Sequence, residues 1–148
     1  MLNHDTLRRR EWLVAAGISV AAAMNRPARA AGAVLPAPES LADELAKALK
    51  SGQPLVVMVS LDGCPFCRVA RDNYLEPMRR QEGMPIFQID MRSAAAVRDF
   101  NRVGVTHDQL VRAWKAKVAP TVLFFGPGGK EVTGRMEGAY IEDFYAAY

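Results

Sequence analysis

The stretch Leu55-Val56-Val57-Met58-Val59-Ser60-Leu61-Asp62-Gly63-Cys64-Pro65-Phe66-Cys67 decides how the rest of the chain is read. Its first seven residues are almost continuously apolar, the pattern of a central strand buried on both faces. Asp62-Gly63 turns the chain, and the cysteine pair then opens a helix running to about Arg80, which Pro77 is expected to kink or end early. The composition contains two cysteines, so this pair is the whole supply.

That placement suits thiol chemistry. Unpaired N–H groups and the helix dipole stabilise an anion at a helix N-terminus, which makes Cys64 the attacking thiolate. Pro65 fits the first turn, where its missing N–H is no loss. Cys67, one turn further in, is expected to be more buried and to act as the resolving thiol. Attack by Cys64 on a partner disulfide gives a mixed disulfide, and Cys67 then releases the product. A zinc site needs about four ligands, and His107 is the one histidine beyond the first thirty residues. A purely structural disulfide would close a very small loop and add little stability. The residues therefore favour redox work with no metal.

Outward from the pair, Ser40 can cap a helix with Leu41, Leu45, Ala48 and Leu49 on one face, stopped at Gly52. Residues 85–91 read as a second strand, and Ser93 starts an Ala-rich helix to about Arg102. Thr106 with Gln109 forms a capping box for a further helix, reaching about Lys117, with Leu110, Val111 and Trp114 on its apolar side. Thr121 to Phe125 is a third strand, Gly126 to Gly129 a turn, Lys130 to Met136 a fourth strand, and residues 141–148 begin a last helix. The order implies an α/β fold with a mixed central sheet of four strands, or five, flanked by helices. Trp114, Phe100, Phe124 and Phe125 are read as core.

A strand, Cys-x-x-Cys and helix, followed by Val118-Ala119-Pro120-Thr121 before another strand, resembles the thioredoxin superfamily across residues 38–148. The resemblance implies a thioredoxin fold carrying an extra helix before the cis-proline strand. It places the cis-proline at Pro120, beside Cys64, and leaves the Ala119 peptide able to pair with an incoming substrate. Phe66, lodged between the cysteines, and Thr121 join that substrate surface, while Gly63 and Pro65 form the active-site turn. Gly129-Lys130-Glu131 with Arg135 and Gly138 is similar to the hairpin of bacterial periplasmic thioredoxin-like reductases. The departures are specific. Thioredoxin's buried acid, six residues before its first cysteine, is here Met58, and the aromatic residue before that cysteine is Gly63. The proton of Cys67 must then pass to water, to Asp62 or to the partner. Asp62 is a turn residue whose charge opposes thiolate formation at Cys64. Arg68 favours it, whereas Arg71, Arg79 and Arg80 read as a solvated helix face. Pro65-Phe66 resembles the Pro-Tyr of glutaredoxins, without a glutathione-binding signature near the hairpin.

The first thirty residues read as an address. Arg8 to Arg10 precede the apolar run Trp12 to Met24, and Ala28-Arg29-Ala30 offers a small-x-small cleavage site. Arg9-Arg10-Glu11-Trp12-Leu13 resembles the twin-arginine export motif, and the general secretory route remains open beside it. Five of the 19 basic and two of the 16 acidic side chains fall in this segment, leaving 14 of each in the remainder. A formally neutral remainder carries no basic stripe for nucleic acid. The expected layout is an export signal over 1–30 removed after about Ala30, a linker over 31–38, and one domain over 39–148. The expected protein is a periplasmic, monomeric thiol–disulfide oxidoreductase that mainly reduces protein disulfides. It uses its cysteine pair and no other cofactor. Its clients carry disulfides or reactive cysteines, and its electrons come from a membrane donor of the thiol–disulfide interchange type. A disulfide oxidase or isomerase is the alternative, though nothing like an oxidase Pro-His dipeptide or an isomerase dimerisation domain is present. A binding module with the cysteines as a structural pair is the third reading.

Overall fold

The computed structural model describes residues 34–138; the export segment expected over 1–30 and the closing helix expected over 141–148 lie outside the described residues. Helix α1 (Leu41–Lys50) starts where Ser40 Oγ accepts from the Asp43 N–H (3.3 Å) and stops before Gly52 at φ +72°. Strand β1 (Leu55–Ser60) is buried at every position because both of its faces are covered. On one face Val57 and Val59 pack with Leu41, Leu45 and Leu123; on the other, Val56 and Met58 pack with Cys67, Leu75 and Val122. The continuous apolar run was the correct signal for a strand in this position.

Helix α2 (Pro65–Ala70) leads into a π-helical turn (Arg71–Leu75) and then α3 (Glu76–Glu82). Pro77 does not end the rod. The π-turn over Arg71–Leu75 widens the helix just ahead of it, so the Glu76 N–H reaches back to the Arg71 carbonyl and the ladder opens where the proline ring would otherwise crowd it. Gly83, at φ +70°, supplies the left-handed residue that closes α3. Strand β2 (Ile86–Asp90) pairs parallel with β1, with Ser60 opposite Asp90. Strand β5 (Thr121–Gly126) pairs antiparallel on the other side of β1. The sheet order is β2-β1-β5-β6, with both β6 (Lys130–Glu131) and β7 (Met136–Glu137) on β5.

Three expectations need correction. The Ala-rich segment after Ser93 is not a helix but a hairpin of β3 (Ala96–Arg98) and β4 (Gly104–Thr106). Alanine's helix preference is worth only tenths of a kcal/mol per residue. Against it, Asp99 accepts from the N–H groups of Asn101 and Val103, and Arg98 donates to the Glu39 carbonyl. The carbonyls of Ser93 and Ala95 accept from Asp108 and His107, so they satisfy the open N-terminus of α4 (His107–Ala113) instead of a helix of their own. The capping box of α4, Thr106 with Gln109, is fully formed. Second, the strand expected over Lys130–Met136 is interrupted. Val132 donates to Phe124 while Met136 pairs with Val122, so the outer strand bulges, and Arg135 turns inward to the Trp114 carbonyl (2.8 Å) and to Glu131. Third, residues 34–38, read as linker, have no regular structure but are packed: Leu35 is buried and Gln88 donates to the Pro36 carbonyl.

Phe100, Trp114 and Phe125 form an aromatic cluster joining the hairpin, α4 and β5, with the Phe100 and Phe125 rings 4.8 Å apart. Gly129 lies against it at φ +69°, and a Cβ there would sit 2.5 Å from the Phe100 ring. Replacing Gly129→Ala therefore combines a positive φ with overpacking and is expected to destabilise the domain by about 2–4 kcal/mol in urea unfolding. A loss below about 1 kcal/mol would show that Phe100 moves aside freely.

Candidate redox site

The two sulfurs are held by the start of α2. Cys64 is its N-cap, in extended conformation, and the Cys64 sulfur accepts the Cys67 N–H at 3.2 Å. A sulfur thus fills the capping role usually taken by a hydroxyl or carboxylate oxygen, and a thiolate there would accept with full charge assistance. Gly63, at φ +72°, makes the turn that brings the chain from β1 to this cap, and Pro65 occupies the first helical turn. Cys64 is half-buried, Cys67 is 1 % exposed, and both are free thiols.

Opposite Cys64 lies the loop before β5. The Ala119–Pro120 peptide is cis, and the Cys64 thiol lies 3.8 Å from the Ala119 carbonyl oxygen. The residues expected at the substrate surface separate here. Phe66 is 59 % exposed and Ala119 half-buried, so both can be reached. Pro120 and Thr121 are buried; the Thr121 hydroxyl donates to the Val118 carbonyl (2.8 Å), and the Pro120 carbonyl accepts from Gly138. Those two shape the loop from within.

The two thiols differ in environment. Burial pushes the Cys67 thiol up to about 11, reinforced by Cys64, against hydrogen bonds from the Leu61 backbone and the Ser60 hydroxyl that favour the thiolate. At pH 7 a group with that value is ionised to roughly one part in 10⁴. Met58, where an acid would stand beneath the pair, is fully buried among apolar side chains and offers no base. Asp62 is exposed at the turn.

A cleft of about 730 Å³ opens beside Cys67, between α2 and the C-terminal ends of β1 and β2. Ser60, Gln88 and Asp90 line it together with Arg68 and Arg71. Sequence reasoning missed the first three as site residues, yet the alternation along β1 carried the signal: Ser60 shares the face of Val56 and Met58, the Cys67 side. Behind β2, the buried His107 accepts the Asp90 N–H at Nδ1 (3.1 Å). Burial holds its pKa below the usual imidazole range, with the Asp90 charge acting the other way.

A mixed sheet with Cys-x-x-Cys at the start of its crossover helix, facing a cis-proline loop, is the arrangement of the thioredoxin superfamily. The chain belongs to the thioredoxin-like domain family, whose sequence model matches residues 41–148. Among solved structures it is similar to a thioredoxin-fold protein from Helicobacter pylori at 12% identity and TM-score 0.57, covering 77% of this chain and 73% of that one. It is also similar to a DsbH oxidoreductase at 19% identity and TM-score 0.51, covering 74% and 77%. Thioredoxin O2 from Arabidopsis thaliana, in its oxidised state, matches at 17% identity and TM-score 0.50 over 71% and 80%. At these identities the likeness is one of fold. No curated protein sequence matches the chain significantly.

Two outcomes are expected from this geometry. In the reduced native protein at pH 8, iodoacetamide will alkylate Cys64 first and Cys67 at least about 100-fold more slowly, because Cys67 is both buried and un-ionised. Peptide mass spectrometry after timed quenching reads the ratio, and equal rates would contradict the burial of Cys67. For His107, the unfolded imidazole takes up a proton that the folded one resists. Its contribution to stability is therefore present above about pH 6.5 and lost as pH falls below it. His107→Asn, which keeps an acceptor for the Asp90 N–H, should flatten that part of the stability profile between pH 7 and 5 in urea titrations.

Proposed function

We propose that this protein is an exported thiol–disulfide oxidoreductase that reduces protein disulfides in the periplasm through a Cys64–client mixed disulfide. One observation carries the reading: an accessible sulfur at a helix N-cap, bonded to the amide of a buried second cysteine three residues on, and facing the Ala119 carbonyl. The accessible sulfur attacks, and the buried one resolves. The DsbH neighbour is itself an oxidoreductase, which agrees with this chemistry. Exposed Phe66 and Val69 on α2, with Val118 in the facing loop, offer apolar contact to the client beside the reacting sulfur. The reductase direction is supported by the resemblance of the Gly129–Gly138 segment to periplasmic reductases and by the absence of an oxidase-type Pro-His between the cysteines. Export is supported by the arginines and apolar run of the first thirty residues. An oxidising compartment requires an electron supply, for which a membrane thiol–disulfide donor is the fitting partner.

Cys67→Ser is expected to accumulate mixed disulfides through Cys64 with a disulfide-bearing protein substrate, while Cys64→Ser accumulates none. Non-reducing electrophoresis reads both. The reduction potential of the wild-type pair, equilibrated with dithiothreitol, is expected near about −270 mV. A value of about −120 to −180 mV would turn the flow towards oxidation or isomerisation. No trapping by either variant would leave the fold as a binding scaffold.

A further inference from the structure

Resolution of the mixed disulfide needs Cys67 as a thiolate, and this chain has replaced the buried acid beneath the pair with Met58. The cleft beside Cys67 offers another base. Ser60 and Asp90 are register partners on adjacent parallel strands, about 5 Å apart at Cα, with side chains on the same face of the sheet. Ser60 and Cys67 line the same cleft, and the Ser60 hydroxyl favours the Cys67 thiolate against burial. Gln88 Nε2 donates to Asp90 Oδ1 (2.7 Å), and Arg71 in turn donates to Gln88 Oε1 (3.4 Å), which fixes the carboxylate at the cleft wall. All of these side chains line one water-accessible cleft.

We propose that Asp90 is the proton acceptor for Cys67, reached through the Ser60 hydroxyl and water in the cleft. The route rests on the thiol-exchange reading above. In the mixed disulfide, the Cys67 S–H passes its proton along this route to the Asp90 carboxylate. The Cys67 thiolate attacks Cys64 Sγ, the Cys64–Cys67 bond forms, and the bond from Cys64 to the client breaks. The client sulfur leaves with the electron pair as a thiolate. The cysteine pair is thereby oxidised and the client reduced, and Asp90 returns its proton to the leaving thiolate or to water. Asp62 is the competing carboxylate, but it sits exposed at the turn, while Asp90 is the register partner of Ser60 on the face of the sheet that carries Cys67. The other charges facing this space are Arg68 from α2, Arg71 from the π-turn and Arg92 after β2, with neutral His107 behind Asp90.

The test is single-turnover resolution of a preformed mixed disulfide between Cys64 and a chromogenic aryl thiol, followed from pH 6 to 9. With Asp90 as base, the wild-type rate is expected to be nearly flat with pH. Asp90→Asn should slow resolution about 100-fold at pH 7 and make it rise close to tenfold per pH unit. Alkylation of Cys64 is expected to stay unchanged in the variant. Should Asp90→Asn fail to fold, Ser60→Ala carries the same test, with its profile steepening towards the same slope. Profiles parallel to wild type in the variants that fold would overturn the route while leaving the exchange reading intact. If Cys67→Ser traps no client and no mixed disulfide resolves in the wild type, reading and route fall together.

Discussion

The amide of Cys67 donating to the sulfur of Cys64 is the contact on which this site depends. It ties both thiols to one helical turn, places the first at the positive end of the helix and draws the second under the sheet. Each neighbouring element serves that placement. β1 must be apolar on both faces to support the turn from within, Gly63 must take a positive φ to reverse the chain, and the Ala119–Pro120 loop must face the exposed sulfur. A single hydrogen bond of this kind contributes about 1 kcal/mol in stability. Its value lies in the asymmetry it creates: one sulfur half-exposed and one buried.

Under the proposed exchange reaction, that asymmetry sets the chemical problem of the second step. A thiol pushed up to about 11 is a safe resting state, because it does not react with passing disulfides. It is a poor nucleophile when its turn comes. The hydrogen bonds from Ser60 and the Leu61 backbone lean the other way, and they matter most when Cys67 must ionise. Burial and the neighbouring Cys64 thus push this sulfur one way and the Leu61 and Ser60 groups the other, with burial the largest.

Much of this was legible in the sequence, for physical reasons that differ by element. β1 could be read because a run of six buried residues has few alternatives when a turn and a helix start follow it. Ser40 and the Thr106–Gln109 box could be read because capping chemistry is local. The hairpin after Ser93 could not, because the bonds that hold it come from Glu39, His107 and Asp108, distant in sequence or in a different element. The same holds for the bulge at Arg135, which exists because a guanidinium reaches the Trp114 carbonyl at the end of α4. The sequence singled out both cysteines and Phe66 from their spacing, and the structure places Cys64 facing the Ala119 carbonyl, Phe66 exposed beside it and Cys67 buried. Ser60, Gln88 and Asp90 were passed over because they acquire meaning only when two strands are set in register. Thr121 was expected at the substrate surface from its neighbour Pro120, and the structure buries it with its hydroxyl donating to the Val118 carbonyl.

The packed residues 34–38 carry a further consequence. By giving the Pro36 carbonyl to Gln88, they occupy part of the open side of β2, the outermost strand of the main sheet. An uncovered strand there would offer a template for another chain. The covering segment carries Pro36 and Pro38, which have no N–H to donate, so it is a poor template in its turn. The segment thereby limits one route of self-association at that edge of the sheet.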